Sequence, residues 1–292
     1  MKKAIRTVGL FGKYRNESVG GQVVALAQFL RARGLDVLIE EDTARLIPQP
    51  PAPSRALDRI GAEIDLAIVI GGDGTMLNVA RNLAPHRVPI VGVNQGRLGF
   101  LTDIQVERMT EEIGRILDGD YRTEERLLLA AEIMRKGKIV HAARAFNDVI
   151  INKGELARLI EFETYLGGEF VNSIRGDGII VASPTGSTAY ALSAGGPILH
   201  PTLPALVLVP ICPHTFSNRP IVVPSDSIVE IVMTDLANQR AHATFDGQTT
   251  FSLEAGDRVY VRRAQTPVEL IHPIGRSHFE VMRIKLHWGA KY

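Results

Sequence analysis

The stretch from Asp65 to Leu83, DLAIVIGGDGTMLNVARNL, constrains this chain more than any other. Leu66 to Ile70 are apolar and partly β-branched, the pattern of a buried strand. Gly71 and Gly72 end it, Asp73 and Gly74 follow, and Thr75 opens a helix. Met76, Leu77, Ala80 and Leu83 share one face of that helix, and Asn82 to Pro85 close it. The first N–H groups of a helix lack intrahelical partners, and the dipole there favours an anion. Glycines let a ligand approach the backbone because no Cβ intervenes. The turn therefore reads as a phosphate site, with Gly71, Gly72, Gly74 and Thr75 as candidate contacts. An acid in such a turn repels phosphate. It makes sense if Asp73 holds a metal or takes a proton from a hydroxyl about to be phosphorylated. The alternative is that Asp73 only caps the helix and the glycines only turn the chain. The turn is not a P-loop, because no Lys-Ser/Thr pair follows it.

The chain has 292 residues, which predicts about two domains. Hydrophobic residues make up 45% and charged residues 22%, enough for a sizeable core. A net charge of +1 gives no electrostatic case for a nucleic-acid or membrane partner. One cysteine, Cys212, excludes an intrachain disulfide and a cysteine-cluster zinc site. It fits a reducing cytoplasm as a small buried residue. The N-terminal run is interrupted by Arg6, Gly12 and Lys13 and makes a poor signal peptide. No segment approaches the roughly 18 apolar residues of a membrane helix. A cytoplasmic protein is expected.

Strands are predicted at Ala4 to Phe11, Val37 to Ile39 and Val88 to Val93, with a helix from Gly20 to Arg33. This alternation predicts a Rossmann-like parallel sheet, with ligands beyond the C-terminal strand ends, where Asp73 and Asn94 fall. Pro48, Pro50, Pro51 and Pro53 read as a stiff exposed connection. Asn94 to Asp103 is a second glycine turn, in which Phe100 serves either the core or a stacked base. A helix is predicted over Thr110 to Leu117. Beyond about Tyr121 short β runs take over, predicting an all-β, sandwich-like layer. Gly167-Gly168 and Asp246-Gly247-Gln248 read as hairpin turns. Near the end, Ser277 and Glu280 have capping-box spacing, and Phe279, Met282 and Leu286 form a stripe. The predicted organisation is residues 1–121 as an α/β phosphate-binding domain, 122–270 as a β-rich dinucleotide-binding domain, and 271–292 as a helix returning to the first.

The β half holds its own polar clusters. Asn147-Asp148 interrupts an apolar strand, either to meet a ligand hydroxyl or as a turn or bulge. Asp177-Gly178 repeats the Asp-Gly pairing of Asp73-Gly74. Ser183, Thr185, Ser187 and Thr188 crowd hydroxyls around Pro184 and Gly186, and a ribose or phosphate could supply their partners. The spacing is not that of a lipase nucleophile elbow. The histidines show no zinc-ligand spacing, and His214 reads as a packed or capping residue.

GGDGT at Gly71 to Thr75, NQGRLGFLTD, FND at Phe146 to Asp148, RGDG at Arg175 to Gly178, and SPTGSTAY with SAGGP occur in this order. Together they resemble the NAD kinase family over nearly the whole chain. The GGDGT turn alone is shared with diacylglycerol kinases and phosphofructokinases; its pairing with TGSTAY is the specific signal. The resemblance implies transfer of a phosphoryl group from ATP to the 2′-hydroxyl of the adenosine ribose of NAD, giving NADP. It implies a divalent cation, Mg²⁺ by expectation, arriving with ATP rather than held in a protein-only cage, and a homo-oligomer of two or four copies. By resemblance Asp73 is the proton acceptor and the GGDG turn meets the phosphates. Asn147 and Asp148 meet the ribose and adenine, although many relatives carry Glu at the second position and Asp148 is one methylene shorter. Phe100, Thr185, Thr188, Ala189 and Tyr190 line the dinucleotide pocket with Ser193 nearby, and Asp177 faces the nicotinamide half. Arg158, Arg175 and Gln248 are further NAD-binding candidates, and an arginine at position 175 leans toward ATP over polyphosphate as donor. Two other readings stand beside this one: a diacylglycerol-kinase-like lipid kinase, and a non-catalytic NAD(P)-binding sensor.

Overall fold

The computed structural model describes residues 4–13, 18–96, 99–154, 159–235 and 241–288. The chain forms two compact units, one of residues 1–125 with 268–292 and one of residues 126–267.

The first unit is built on an eight-stranded sheet. Its main order is Ser54–Arg55, Asp36–Glu40, Thr7–Gly12, Leu66–Gly71, Ile90–Asn94, Val268–Pro273 and Tyr121–Arg126, with Ile104–Gln105 pairing on Ile90–Asn94. The pairs from Ser54–Arg55 across to Val268–Pro273 are parallel, the Rossmann-like layout expected from alternating strands and helices. Leu66–Gly71 is buried at every residue, as a central parallel strand covered on both faces must be. Helix Ser18–Ala32 buries Val19, Val23, Leu26, Ala27 and Leu30 against Leu10, Ile39 and Ile68. Each of these valines, leucines and isoleucines contributes about 1.5–3 kcal/mol through its removal from water. The sheet reverses its winding between Thr7–Gly12 and Leu66–Gly71. Open sheets place ligands at the strand ends of that point.

Several local expectations change. Helix Asp73–Leu83 begins at Asp73 rather than Thr75, so the acid is the first helical residue. The proline-rich connection ends in the short strand Ser54–Arg55, paired with Ile39 and Glu40. Strand Val268–Pro273 lies in the first sheet, so residues 268–270 belong with the first unit rather than the β-rich region. The closing helix, His278–Leu286, is capped as its sequence predicts, Ser277 Oγ accepting from the Glu280 N–H at 3.3 Å. Met282 of the predicted stripe is buried together with Val281 and Leu286 is half-buried, whereas Phe279 departs from the prediction at 58% exposed.

The second unit holds two six-stranded sheets. One runs Ile221–Pro224, Ala205–Ile211, Gly178–Ala182, Asp148–Lys153, Ala241–Phe245, Thr249–Leu253. The other runs Glu169–Gly176, Ile160–Leu166, Val229–Asp235, Arg258–Arg263, Leu129–Arg135, Lys138–Ala145. Neighbouring strands in both sheets pair antiparallel. Val149, Ile151, Val181 and Phe245 share a core with Ile133, Phe162, Ile231 and Val259. Ile150 and Ile180, pointing to the opposite face, pack with Ala191 and Leu199. Burial on both faces explains why these strands read as unbroken apolar runs. Gly167 and Gly168 both take positive φ, 60° and 89°, as do Asp246 and Gly247, at 53° and 65°. Both expected hairpin turns are thus of the primed kind that matches strand twist. Cys212 departs from expectation: it is exposed, with φ of 43°.

Candidate functional site

In the first unit, strand Leu66–Gly71 hands over to helix Asp73–Leu83 through Gly72, the N-cap, which offers no side-chain cap. Asp73 is therefore not the N-cap. Its carboxylate instead accepts the Phe100 N–H at Oδ2, 2.9 Å, and the Leu101 N–H at Oδ1, 3.1 Å. These bonds tie the two glycine turns of the sequence together. A Cβ on Gly99 would lie 2.1 Å from Asp73 Oδ1 and 2.4 Å from Thr102 Oγ1, so a side chain there would have to displace the Asp73 carboxylate and the Thr102 hydroxyl. Gly71 is likewise crowded, its Cβ position being 2.7 Å from Thr75 Oγ1, while Gly72 has open space around it. Asp73 is half-buried and Gly74 exposed, so the helix start and its acid both reach the surface. Phe100 is half-buried, and Lys285 Nζ lies 5.8 Å from its ring centroid.

In the second unit the polar motifs converge on the start of strand Asp148–Lys153. Asp148 opens that strand rather than interrupting it. Asp246, in the Asp-Gly hairpin turn, accepts three backbone N–H groups: Phe146 at 2.9 Å, Asn147 at 2.7 Å and Asp148 at 3.2 Å. The turn that reads as a plain hairpin is thus a clamp on the FND segment. Asp148 is 3% exposed, and burial, with the Asp246 carboxylate nearby, pushes its carboxyl from 3.8 up to about 7. The SPTGSTAY segment packs on the same backbone. The Ser183 N–H donates to Asn147 O at 2.8 Å, and Ser183 Oγ donates to Phe146 O at 2.6 Å. A Cβ on Gly186 would meet Asn147 O at 2.1 Å.

The crowded hydroxyls, for which a ribose or phosphate could have supplied partners, find them within the protein. Ser187 Oγ donates to Pro184 O at 2.7 Å and accepts the Leu199 N–H at 2.9 Å. Thr188 Oγ1 donates to Thr185 O at 3.2 Å. Thr185 Oγ1 accepts from Arg126 Nη1 at 3.2 Å; Arg126 is a buried cation that no sequence motif marks. Asn147, Thr188 and Ala189 are half-buried, and Tyr190 and Ser193 reach the surface, which leaves this face available to a ligand.

The outlying candidates are placed less tellingly. Asp177 forms an ion pair with Lys153, Nζ to Oδ1 2.6 Å. Arg175 faces Glu161 at 3.4 Å on the exposed side of the other sheet. Gln248 is exposed at the end of the hairpin turn. Arg158 lies outside the described residues, as do positions 97 and 98 of the second glycine turn. Among the described residues, no three His, Cys, Asp or Glu side chains group as a metal site would need. No helix there is long and apolar enough to cross a membrane.

A parallel sheet with a glycine–aspartate turn at a helix start, followed by a β unit that presents small polar residues, defines the two-part build of a nucleotide-dependent kinase. Residues 8–121 match the family model for the ATP-NAD kinase N-terminal domain and residues 146–273 that for the C-terminal domain. The NAD kinase of Thiobacillus denitrificans is 51% identical over 291 residues, covering 100% of both chains. The chain belongs to the NAD kinase family. Among solved structures, yeast NADH kinase complexed with NADH superimposes with a TM-score of 0.87 at 23% identity, over 100% of this chain and 90% of that one. An NAD kinase from Archaeoglobus fulgidus in complex with ATP gives 0.75 at 25% identity, over 96% and 98%. These matches lend no support to the lipid-kinase and sensor readings.

Proposed function

We propose that the chain transfers a phosphoryl group from ATP to the 2′-hydroxyl of the adenosine ribose of NAD, producing NADP, with Asp73 as the proton acceptor. The observation that carries this reading is the placement of Asp73. It heads a helix beside a glycine turn, and two backbone N–H groups hold its carboxylate in one orientation. Phosphoryl transfer has a loose transition state, so positioning and charge neutralisation supply most of the catalysis. A carboxylate is a weak base for a sugar hydroxyl; it need only steer the oxygen and accept the proton late. Gly71, Gly72, Gly74 and Thr75 meet phosphate at the helix start.

Asn147 and Asp148 take the ribose and adenine, on a backbone fixed by Asp246. Phe100, Thr185, Thr188, Ala189, Tyr190 and Ser193 line the dinucleotide. Asp177 serves the nicotinamide half and shares its charge with Lys153. Arg158, Arg175 and Gln248 are secondary contacts. A divalent ion, Mg²⁺ by preference, arrives on the triphosphate and neutralises its charge; no residue of this chain is assigned to it. We further propose a cytoplasmic homo-oligomer. The test is an end-point assay of purified protein with ATP, magnesium and NAD. NADP must form, and omission of ATP must abolish it. Binding of NAD without any NADP would reinstate the sensor reading.

A further inference from the structure

The Asp73 carboxylate is the near end of a longer chain of contacts in the first unit. Phe100 O and the Leu101 N–H belong to one peptide group. Its N–H donates to Asp73 Oδ1, and its carbonyl accepts from Arg276 Nη2 at 2.6 Å. The Arg276 side chain is 6% exposed, and its Nε stands against Asp103 Oδ1. The other Asp103 oxygen is bonded to His272 Nδ1. Burial lowers the pKa of His272, so the ring is held neutral at pH 7, and its far nitrogen lies 4.0 Å from Glu124. Arg122 Nη2 donates to Arg276 O at 3.2 Å. The ring of Phe100 lies under Lys285.

A cation therefore grips one side of a peptide plane whose other side grips the proposed base. A guanidinium is suited to this. Its planar fork reaches Asp103 and the carbonyl in fixed directions at once, which an ammonium cannot do. Burial of the pair in low dielectric strengthens both contacts and makes their geometry stiff. Gly99 leads into this peptide packed closely against Asp73 and Thr102, and Leu101 is buried, so the two hydrogen bonds act on a segment that packing already confines.

We propose that Arg276, seated by Asp103 and His272, is a positioning residue that fixes the Phe100–Leu101 peptide and through it the orientation of Asp73. This rests on Asp73 being the proton acceptor. The test is a double-mutant cycle between Arg276→Lys and Asp73→Asn, read as kcat and NAD KM, with folding checked by circular dichroism and melting. Arg276→Lys keeps the charge beside Asp103 but loses the fork. Its kcat is expected to fall about 10- to 30-fold with NAD KM within about threefold. In the Asp73→Asn background the same change is expected to cost less than about twofold, because its target is already gone.

Losses that multiply in the double variant, a loss carried in KM, or a kcat within about twofold of wild type for Arg276→Lys would each overturn the proposal. A near-wild-type Asp73→Asn enzyme would instead remove the proton-acceptor reading first, and this inference with it. If Arg276→Lys does not fold, Asp103→Asn takes its place in the cycle, with the same supporting and overturning outcomes. It is isosteric and one contact further out.

Discussion

The two units each pin a loop with an aspartate from an Asp-Gly pair, and the two aspartates do different work. Asp73 takes two backbone N–H groups and Asp246 takes three. Asp73 follows a parallel strand and heads a helix, so it reaches the surface where a dipole and open glycines favour phosphate. Asp246 sits in a hairpin turn with φ of 53°, and its bonds point back to the adjoining strand start. The first acid is the one proposed as proton acceptor. The second builds the floor on which Asn147 and Asp148 stand. With Asp73 as the proposed proton acceptor, the same dipeptide serves a reacting group in one context and a scaffold in the other, and the element that precedes it separates the two.

The comparison predicts that the largest effect falls on turnover at the first acid. Asp73→Asn should lose at least about 100-fold in kcat, the scale of general acid–base catalysis. The variant should melt close to wild type, since Asn still offers one acceptor. A kcat near wild type would erase the distinction between the two aspartates.

Asp246→Ala should act on binding and stability instead. Three N–H groups lose an ionic acceptor, and the fold should weaken by roughly 2–4 kcal/mol. NAD KM should rise about tenfold or more, equivalent to about 1.4 kcal/mol of lost binding. Denaturant melts and steady-state kinetics read both. A loss confined to kcat would mean that this acid also touches the reaction.

Asp148 sharpens the comparison through pH. Its carboxyl is raised to about 7, and hydrogen bonds from ribose hydroxyls favour the ionised form. NAD KM should therefore fall about tenfold from pH 6 to pH 8, and Asp148→Asn should flatten that profile. Stability runs the opposite way. The folded-state value lies above the unfolded one, so this group's contribution is full below about pH 4 and is lost as pH rises through about 7. The slope is at most about 1.4 kcal/mol per pH unit. Wild type minus Asp148→Asn isolates it. A flat difference would show that the buried carboxyl titrates normally.

The smallest effect is expected at the rim. Tyr190 is 46% exposed, so Tyr190→Ala should weaken NAD binding by about three- to tenfold, the worth of one aromatic contact, and leave ATP binding nearly unchanged. Equal losses for both ligands would displace this side chain from the dinucleotide.

Much of this is legible in the chain. The strand–glycine–helix turn, the parallel order and the β-rich half follow from period and punctuation, because buried strands and helix faces leave strong local patterns. What periodicity does not carry is long-range pairing of polar groups. Asp103 and His272 are 169 positions apart, and they meet each other and Arg276 only in the fold. Arg126 and Asp246 carry no local mark that distinguishes a clamp from a surface charge. Tyr121–Arg126 is mostly exposed or half-buried and rich in charge, so only its neighbour in the sheet makes it a strand. The hydroxyls of SPTGSTAY need partners on any reading, but sequence does not show that Pro184 O, Thr185 O and Phe146 O are within reach.

The most direct test of the division between the two acids is titration calorimetry of NAD into Asp73→Asn without ATP, followed by single-turnover transfer with ATP and magnesium. The expected result is an NAD Kd within about threefold of wild type and a transfer step slowed at least about 100-fold. A Kd weakened in proportion to the rate, or an unslowed transfer step, would contradict it.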